Sequence, residues 1–186
     1  VDGPGLVILD RDGVINCDRS DFVKSPEEWV ALPGSLEAIA LLARAGFTVA
    51  VATNQSGLGR GLFDRETLEA VHEKMRSAAE ESGGRIDIVA YCPHRPDEGC
   101  DCRKPLPGLL QSIGGEYGLA LSGVPCIGDS ERDLVAAKAV GARAILVLTG
   151  NGEATRQALD EGDEVDVFPD LLAATRCLLE ELGSTC

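Results

Sequence analysis

The sequence predicts an α/β domain built on a mainly parallel sheet covered on both faces, and three observations carry that prediction. Short runs rich in Val, Ile and Ala recur along the chain, helical patterns separate them, and glycine or proline breaks fall between the two. Runs that are apolar almost without interruption fit strands buried on both sides, and regular strand–helix alternation fits parallel connections.

Taken in order, Leu6 to Asp10 is the first strand. A helix follows over Ser35 to Ala45, set off by Pro33-Gly34 and ended at Gly46. Phe47 to Thr53 is the second strand, and Asp64 to Ser82 a long helix closed by Gly83-Gly84. Ile86 to Tyr91 is the third strand and Pro107 to Tyr117 the next helix. Val124 to Ile127, a helix from Glu131 to Val140, and Ala144 to Leu148 continue the alternation across Gly141. Glu153 to Glu161 and Asp170 to Leu182 are the last helices, with a short sixth strand, Val165 to Phe168, between them. The 186 residues suit one domain spanning 1–186. No strand-to-helix connection is long enough for a cap domain, so only the Cys17 to Leu32 loop and a cysteine-rich segment can screen a site. Ligands of such sheets bind beyond the carboxyl ends of the strands.

Hydrophobic content of 44% and charged content of 26% fit a folded globular chain. A net charge of -14 argues against general binding to nucleic acid or to an anionic membrane. No apolar run approaches the roughly 20 residues needed to cross a bilayer, and the first residues carry no signal pattern. Seven cysteines, three of them crowded beside a histidine, read as reduced thiols plus a metal site. The expected setting is the cytoplasm, the expected state a monomer, and the expected partner a small molecule.

Four segments carry chemistry. In Leu9-Asp10-Arg11-Asp12-Gly13-Val14 two carboxylates sit one residue apart at a strand end. Asp10 can attack phosphorus, and Asp12 can serve as general acid and then base. Asp12 must then be protonated first, so its surroundings are expected to raise its pKa. Thr53-Asn54-Gln55-Ser56-Gly57 offers a hydroxyl, amides and main-chain N–H groups to a phosphate. Cys92, His94, Cys100 and Cys102 form a four-ligand set suited to structural zinc. Arg103 and Lys104 follow at once, and Lys104 can neutralise phosphate oxygens. Asp129 completes a magnesium set with Asp10 and the main-chain carbonyl of Asp12. Asp133, one helical turn on, is expected to orient waters or the loop without holding the ion.

Together these segments resemble the haloacid dehalogenase superfamily of phosphatases: Asp10-Arg11-Asp12-Gly13 its first motif, Thr53 its second, Lys104 its third, and Gly128-Asp129 with Asp133 its fourth. The resemblance spans about Leu6 to Leu182. It implies a Rossmann-like three-layer domain without a cap, an aspartyl-phosphate intermediate on Asp10, and strands one and four as neighbours. It also implies that Asn54, Gln55, Ser56 and Arg103 line the substrate pocket, with Asp18, Arg19 and Phe22 covering it. Within the superfamily the sequence is similar to small zinc-containing phosphatases of a sugar bisphosphate and of an amino-alcohol phosphate. Ser56 before Leu58-Gly59-Arg60-Gly61 favours the sugar bisphosphate. One departure is Ser130, where such relatives often carry lysine. A zinc-stabilised binding module without catalysis is the alternative from a different class, and the intact Asp10, Asp12, Lys104 and Asp129 argue against it.

Overall fold

The computed structural model describes residues 5–160 and 162–183. Six strands, β1 (Leu6–Leu9), β2 (Thr48–Asn54), β3 (Ile88–Cys92), β4 (Pro125–Gly128), β5 (Arg143–Val147) and β6 (Asp166–Phe168), form one sheet in the order β3-β2-β1-β4-β5-β6. Every pairing is parallel. Seven helices accompany them: α1 (Ser35–Arg44), α2 (Ser56–Gly59), α3 (Arg65–Glu81), α4 (Gly108–Tyr117), α5 (Glu131–Ala139), α6 (Gly152–Ala158) and α7 (Leu171–Gly183).

The period of two along each strand sorts the apolar residues into two cores. Val7, Leu9, Val49, Val51, Ile127, Ile145 and Val147 face α1, α3 and α7. Leu6, Ile8, Ala50, Ala52, Cys126 and Leu146 face α4 and α5 on the other side. Burying one Leu or Ile stabilises by about 1.5–3 kcal/mol, so the ends of the central strands are rigid places to mount reactive groups. The chain runs outward from β1 to β2 and β3, then crosses back to β4 on β1's other side. That reversal opens a crevice at the carboxyl ends of β1, β2 and β4.

The observed elements match the expected ones within a few residues. Two short helical turns were not expected: a 3-10 turn at Pro26–Glu28 inside the covering loop, and α2 in the glycine-rich segment. Helix α6 stops at Ala158, earlier than expected, because Leu159 turns extended (φ -69, ψ 140) and packs on the second core. Its expected end at Glu161 lies outside the described residues, as does Cys186. No helix among the described residues is long and apolar enough to cross a membrane.

Candidate active site

Asp10 follows β1 directly, and its N–H still pairs with the Ile127 carbonyl at 2.9 Å, which fixes it beside β4. The chain then folds into a tight turn in which the N–H groups of Ile15 and Asn16 converge on the Arg11 carbonyl at 2.8 and 3.1 Å. The turn swings Asp12 back over the strand ends. Close approach makes glycine necessary at two points around it. Gly13 (φ 83) and Gly150 (φ 57) are both left-handed, and a Cβ on either would overlap Asp129 Oδ2.

Asp10, Asp129 and Asp133 are all buried, and their carboxylate oxygens lie within 4.8 Å of one another. One cation answers them. Lys104, 3% exposed, places Nζ 2.6 Å from Asp133 Oδ1, 3.0 Å from Asp10 Oδ1 and 2.6 Å from the Ala52 carbonyl. The lysine thus makes two ion pairs and one hydrogen bond, the last to the Ala52 carbonyl. Asp133 Oδ2 also accepts from the main chain and hydroxyl of Ser130, so Ser130 acts here as a helix-start residue bracing Asp133. Asp133 is thus the counter-ion that aims Lys104, a more specific task than orienting waters.

A single ammonium cannot neutralise three carboxylates, and the titration of the cluster follows from that. Asp133, nearer the lysine, is held below its ordinary pKa: burial pushes it up, but Lys104, Ser130 and Arg132 together outweigh burial. Asp10 is pushed up to about 7 by burial first and then by Asp133, with Lys104 opposing. Asp129 is also raised, chiefly by burial. Asn151 donates to Asp129 Oδ2 through its main-chain N–H (2.8 Å) and its side-chain amide (3.0 Å), while Oδ1 is buried without a partner. Two surplus negative charges and the unpartnered Asp129 Oδ1 suit a dication bound through oxygen.

Asp12 corrects an expectation. Burial pushes its pKa up, but Arg11 outweighs this, together with hydrogen bonds from Asn16, Arg11 and Gln55, and the carboxylate is held below its ordinary value. The neighbour in sequence causes it: Arg11 folds its guanidinium back and donates to Oδ1 (Nε 3.2 Å) and to both oxygens from Nη2 (3.0 and 2.9 Å). Asn16 donates at 2.9 Å and is itself aimed by the Trp29 indole at 3.0 Å.

The second segment divides its labour. Gln55 donates to Asp12 (2.9 Å) and to the Thr53 hydroxyl (2.9 Å), so its amide hydrogens brace the protein's own groups. Asn54 donates to the Lys104 carbonyl (3.0 Å) and accepts from its N–H (3.1 Å), fixing the lysine's backbone to β2. Above these groups lies a cleft of ≈ 300 Å³. It gathers Asp12, Asp18, Arg19, Phe22, Asn54, Gln55, Ser56 and Arg103, all expected, with Arg11, Arg132 and Asn151, which were not. Arg132 and Arg103 form no ion pair among the described residues. A larger hollow of ≈ 770 Å³ lies at the opposite end of the sheet, where Lys138 pairs with Asp163 and Arg143 with Asp166.

Cys92, His94, Cys100 and Cys102 offer four donor atoms within 4.8 Å of one another. Cys92 Sγ lies 3.5 Å from His94 Nδ1, 3.6 Å from Cys100 Sγ and 3.0 Å from Cys102 Sγ. Sulfurs in a disulfide stand about 2.05 Å apart, whereas two thiolates sharing a tetrahedral zinc at about 2.3 Å stand about 3.8 Å apart. The sulfurs are too far apart for a disulfide, and the four groups together could hold a metal ion. Arg103 and Lys104 leave this cluster directly toward the site.

The parallel sheet, the paired aspartates beyond β1 and the lysine–carboxylate cluster beside them define a haloacid dehalogenase-like hydrolase. A family model described as HAD-hydrolase-like matches residues 101–174, and one described as polynucleotide kinase 3 phosphatase matches residues 6–123. The chain is 55% identical over 178 residues to the D-glycero-β-D-manno-heptose-1,7-bisphosphate 7-phosphatase of Bordetella bronchiseptica, covering 95% of this chain and 98% of that one. It is 52% identical over 176 residues to the Pseudomonas aeruginosa enzyme of the same name, covering 94% and 98%. The crystal structure of D,D-heptose 1,7-bisphosphate phosphatase from B. bronchiseptica, complexed with magnesium and phosphate, superposes with a TM-score of 0.93 at 54% identity, covering 95% of this chain and 99% of that one. The chain belongs to the D-glycero-β-D-manno-heptose-1,7-bisphosphate 7-phosphatase family.

Proposed function

We propose that this chain releases the 7-phosphate of D-glycero-β-D-manno-heptose 1,7-bisphosphate through an aspartyl-phosphate, in the cytoplasm, as a monomer, in the synthesis of nucleotide-activated heptose for lipopolysaccharide core or surface glycan. The observation that carries the reading is charge. A dication's worth of surplus carboxylate lies under a cleft that presents two arginines, Arg103 and Arg132, that form no ion pair among the described residues. A phosphoryl group held through a dication accounts for the first feature and a second phosphate on the same substrate for the other. Arg132 also offers a cation near the place where Ser130 lacks one.

Asp10, the main-chain carbonyl of Asp12 and Asp129 would hold magnesium, which when bound offsets charge on the phosphoryl oxygens. Asp10 Oδ1 is held by the Arg11 N–H at 2.7 Å and by Lys104, so Oδ2 is the oxygen that attacks phosphorus. As the P–O bond to the sugar breaks, the leaving oxygen takes a proton from Asp12. Asp12, ionised at rest, takes that proton from solvent when a phosphate dianion enters the cleft and raises its pKa. Lys104 loses the Asp10 charge once that carboxylate is phosphorylated and turns to the phosphoryl oxygens, joined by the Thr53 hydroxyl. Asp12 then takes a proton from water, which attacks phosphorus and frees Asp10. Zinc on Cys92, His94, Cys100 and Cys102 would keep Arg103 and Lys104 at the site.

Histidinol phosphate, the amino-alcohol ester of the histidine-pathway phosphatases, is the competing substrate. Its ammonium group would face the two cleft arginines, which disfavours it. With magnesium present, the heptose bisphosphate is expected to exceed histidinol phosphate at least tenfold in kcat/KM. A reversed preference overturns the proposal. Magnesium binding gives a further expectation: Asn151→Ala removes the side-chain amide bond to Asp129 and leaves only the main-chain one to orient the carboxylate. Loss of such an orienting partner weakens metal binding by about 10-fold or more, which titration calorimetry with magnesium measures.

A further inference from the structure

His72 is a buried titratable group that the mechanism above does not use. It sits in α3, 1% exposed, and its Nε2 lies 3.3 Å from Arg11 Nη1. A guanidinium only donates, so Nε2 is the acceptor and the imidazole proton resides on Nδ1. That Nδ1 is buried with no partner, beside the tilted ring of Tyr91 at 5.6 Å. Burial, with Arg11 and Arg76 close by, lowers the His72 pKa to about 3, so the ring stays neutral. As a core residue this histidine is a poor choice, because a leucine would fill the space with no stranded N–H. What only the histidine supplies is an acceptor for the one face of Arg11 that Asp12 does not engage. Arg11 is itself 1% exposed, and without His72 its Nη1 would be buried unpaired.

The geometry points to His72 as a positioning residue: through Arg11 it holds Asp12 at the angle from which the carboxylate exchanges protons with leaving group and water. The inference rests on the phosphatase reading and deepens it. Asn16 and Gln55 also hold Asp12, so loss of His72 loosens the carboxylate without releasing it.

The test compares His72→Leu, which keeps the bulk and removes the acceptor, with His72→Gln, which restores an acceptor oxygen. Each is assayed on the heptose bisphosphate and on p-nitrophenyl phosphate, whose leaving group departs without a proton. His72→Leu is expected to lower kcat on the heptose bisphosphate about tenfold with KM within twofold, and His72→Gln to recover kcat to within threefold of the parent. With p-nitrophenyl phosphate the first-turnover burst of His72→Leu keeps its rate. The steady state, which needs Asp12 to take a proton from water, falls about tenfold. A kcat within twofold of the parent in His72→Leu, an equal loss in both variants, or a slowed burst overturns the inference. A parent enzyme that cleaves p-nitrophenyl phosphate but not the heptose bisphosphate overturns the substrate reading alone, and the burst comparison still tests His72.

Discussion

Asp10→Asn is expected to abolish phosphate release and, in magnesium-free buffer, to make the folded protein more stable. The first effect follows from losing the attacking oxygen: removal of a nucleophile costs on the order of 10⁴-fold or more in turnover. The second follows from crowding. Asp10 shares its burial site with Asp129 and Asp133 against one lysine, and an amide of the same shape removes a charge that nothing neutralises until a cation binds. The sign with pH is definite. Burial, and then Asp133, raise the Asp10 pKa from 3.8 to about 7. The folded state therefore binds this proton more tightly than the unfolded chain. The stability that the proton supplies is complete below the unfolded pKa and is lost as pH rises through about 7. The Tm advantage of Asp10→Asn over the parent should thus be small at pH 4 and largest above pH 7. Magnesium added at the higher pH should stabilise the parent and close the gap. Equal Tm values at both ends of the range would remove the charge argument on which the metal site rests.

The fold and most of the site were legible because the residues that matter fall in short motifs, several of them at strand ends. β1 ends at Leu9, just before Asp10, β2 at Asn54 and β4 at Gly128, so each motif marks its own strand end. What was not legible depended on partners brought in from far along the chain. The low pKa of Asp12 needs the Arg11 side chain to fold back, which sequence alone leaves undetermined because the same arginine could face solvent. Its anchor, His72, lies 61 residues away. Asn151 meets Asp129 only because the loop after β5 passes over β4, and its single sequence signal was a Gly-Asn-Gly turn. Trp29 was readable as an apolar residue in a loop, but its indole bond to Asn16 was not. Spacing reveals groups on one strand end, and it is silent about which side chains brace them.

Lys104→Met is expected to cost both activity and stability, and the two losses can be separated. The lysine is the only cation within 4 Å of Asp10 and Asp133 among the described residues. Removing one partner of a buried ion pair costs about 3–5 kcal/mol, because the charge left behind stays buried. At about 2–4 °C per kcal/mol for a chain of this size, the Tm should fall by roughly 10 °C. Turnover should fall by about 10²–10³-fold, the scale for losing one fixed donor to a developing charge. Combining Lys104→Met with Asp133→Asn distinguishes the causes. The amide oxygen introduced by Asp133→Asn can still accept from Ser130, while the stranded charge is gone, so most of the lost Tm should return. Turnover should stay low, because no ammonium reaches the phosphoryl group. Recovery of turnover along with Tm would mean that the lysine's contribution is only to hold Asp133, and that charge neutralisation at the phosphate comes from the metal alone.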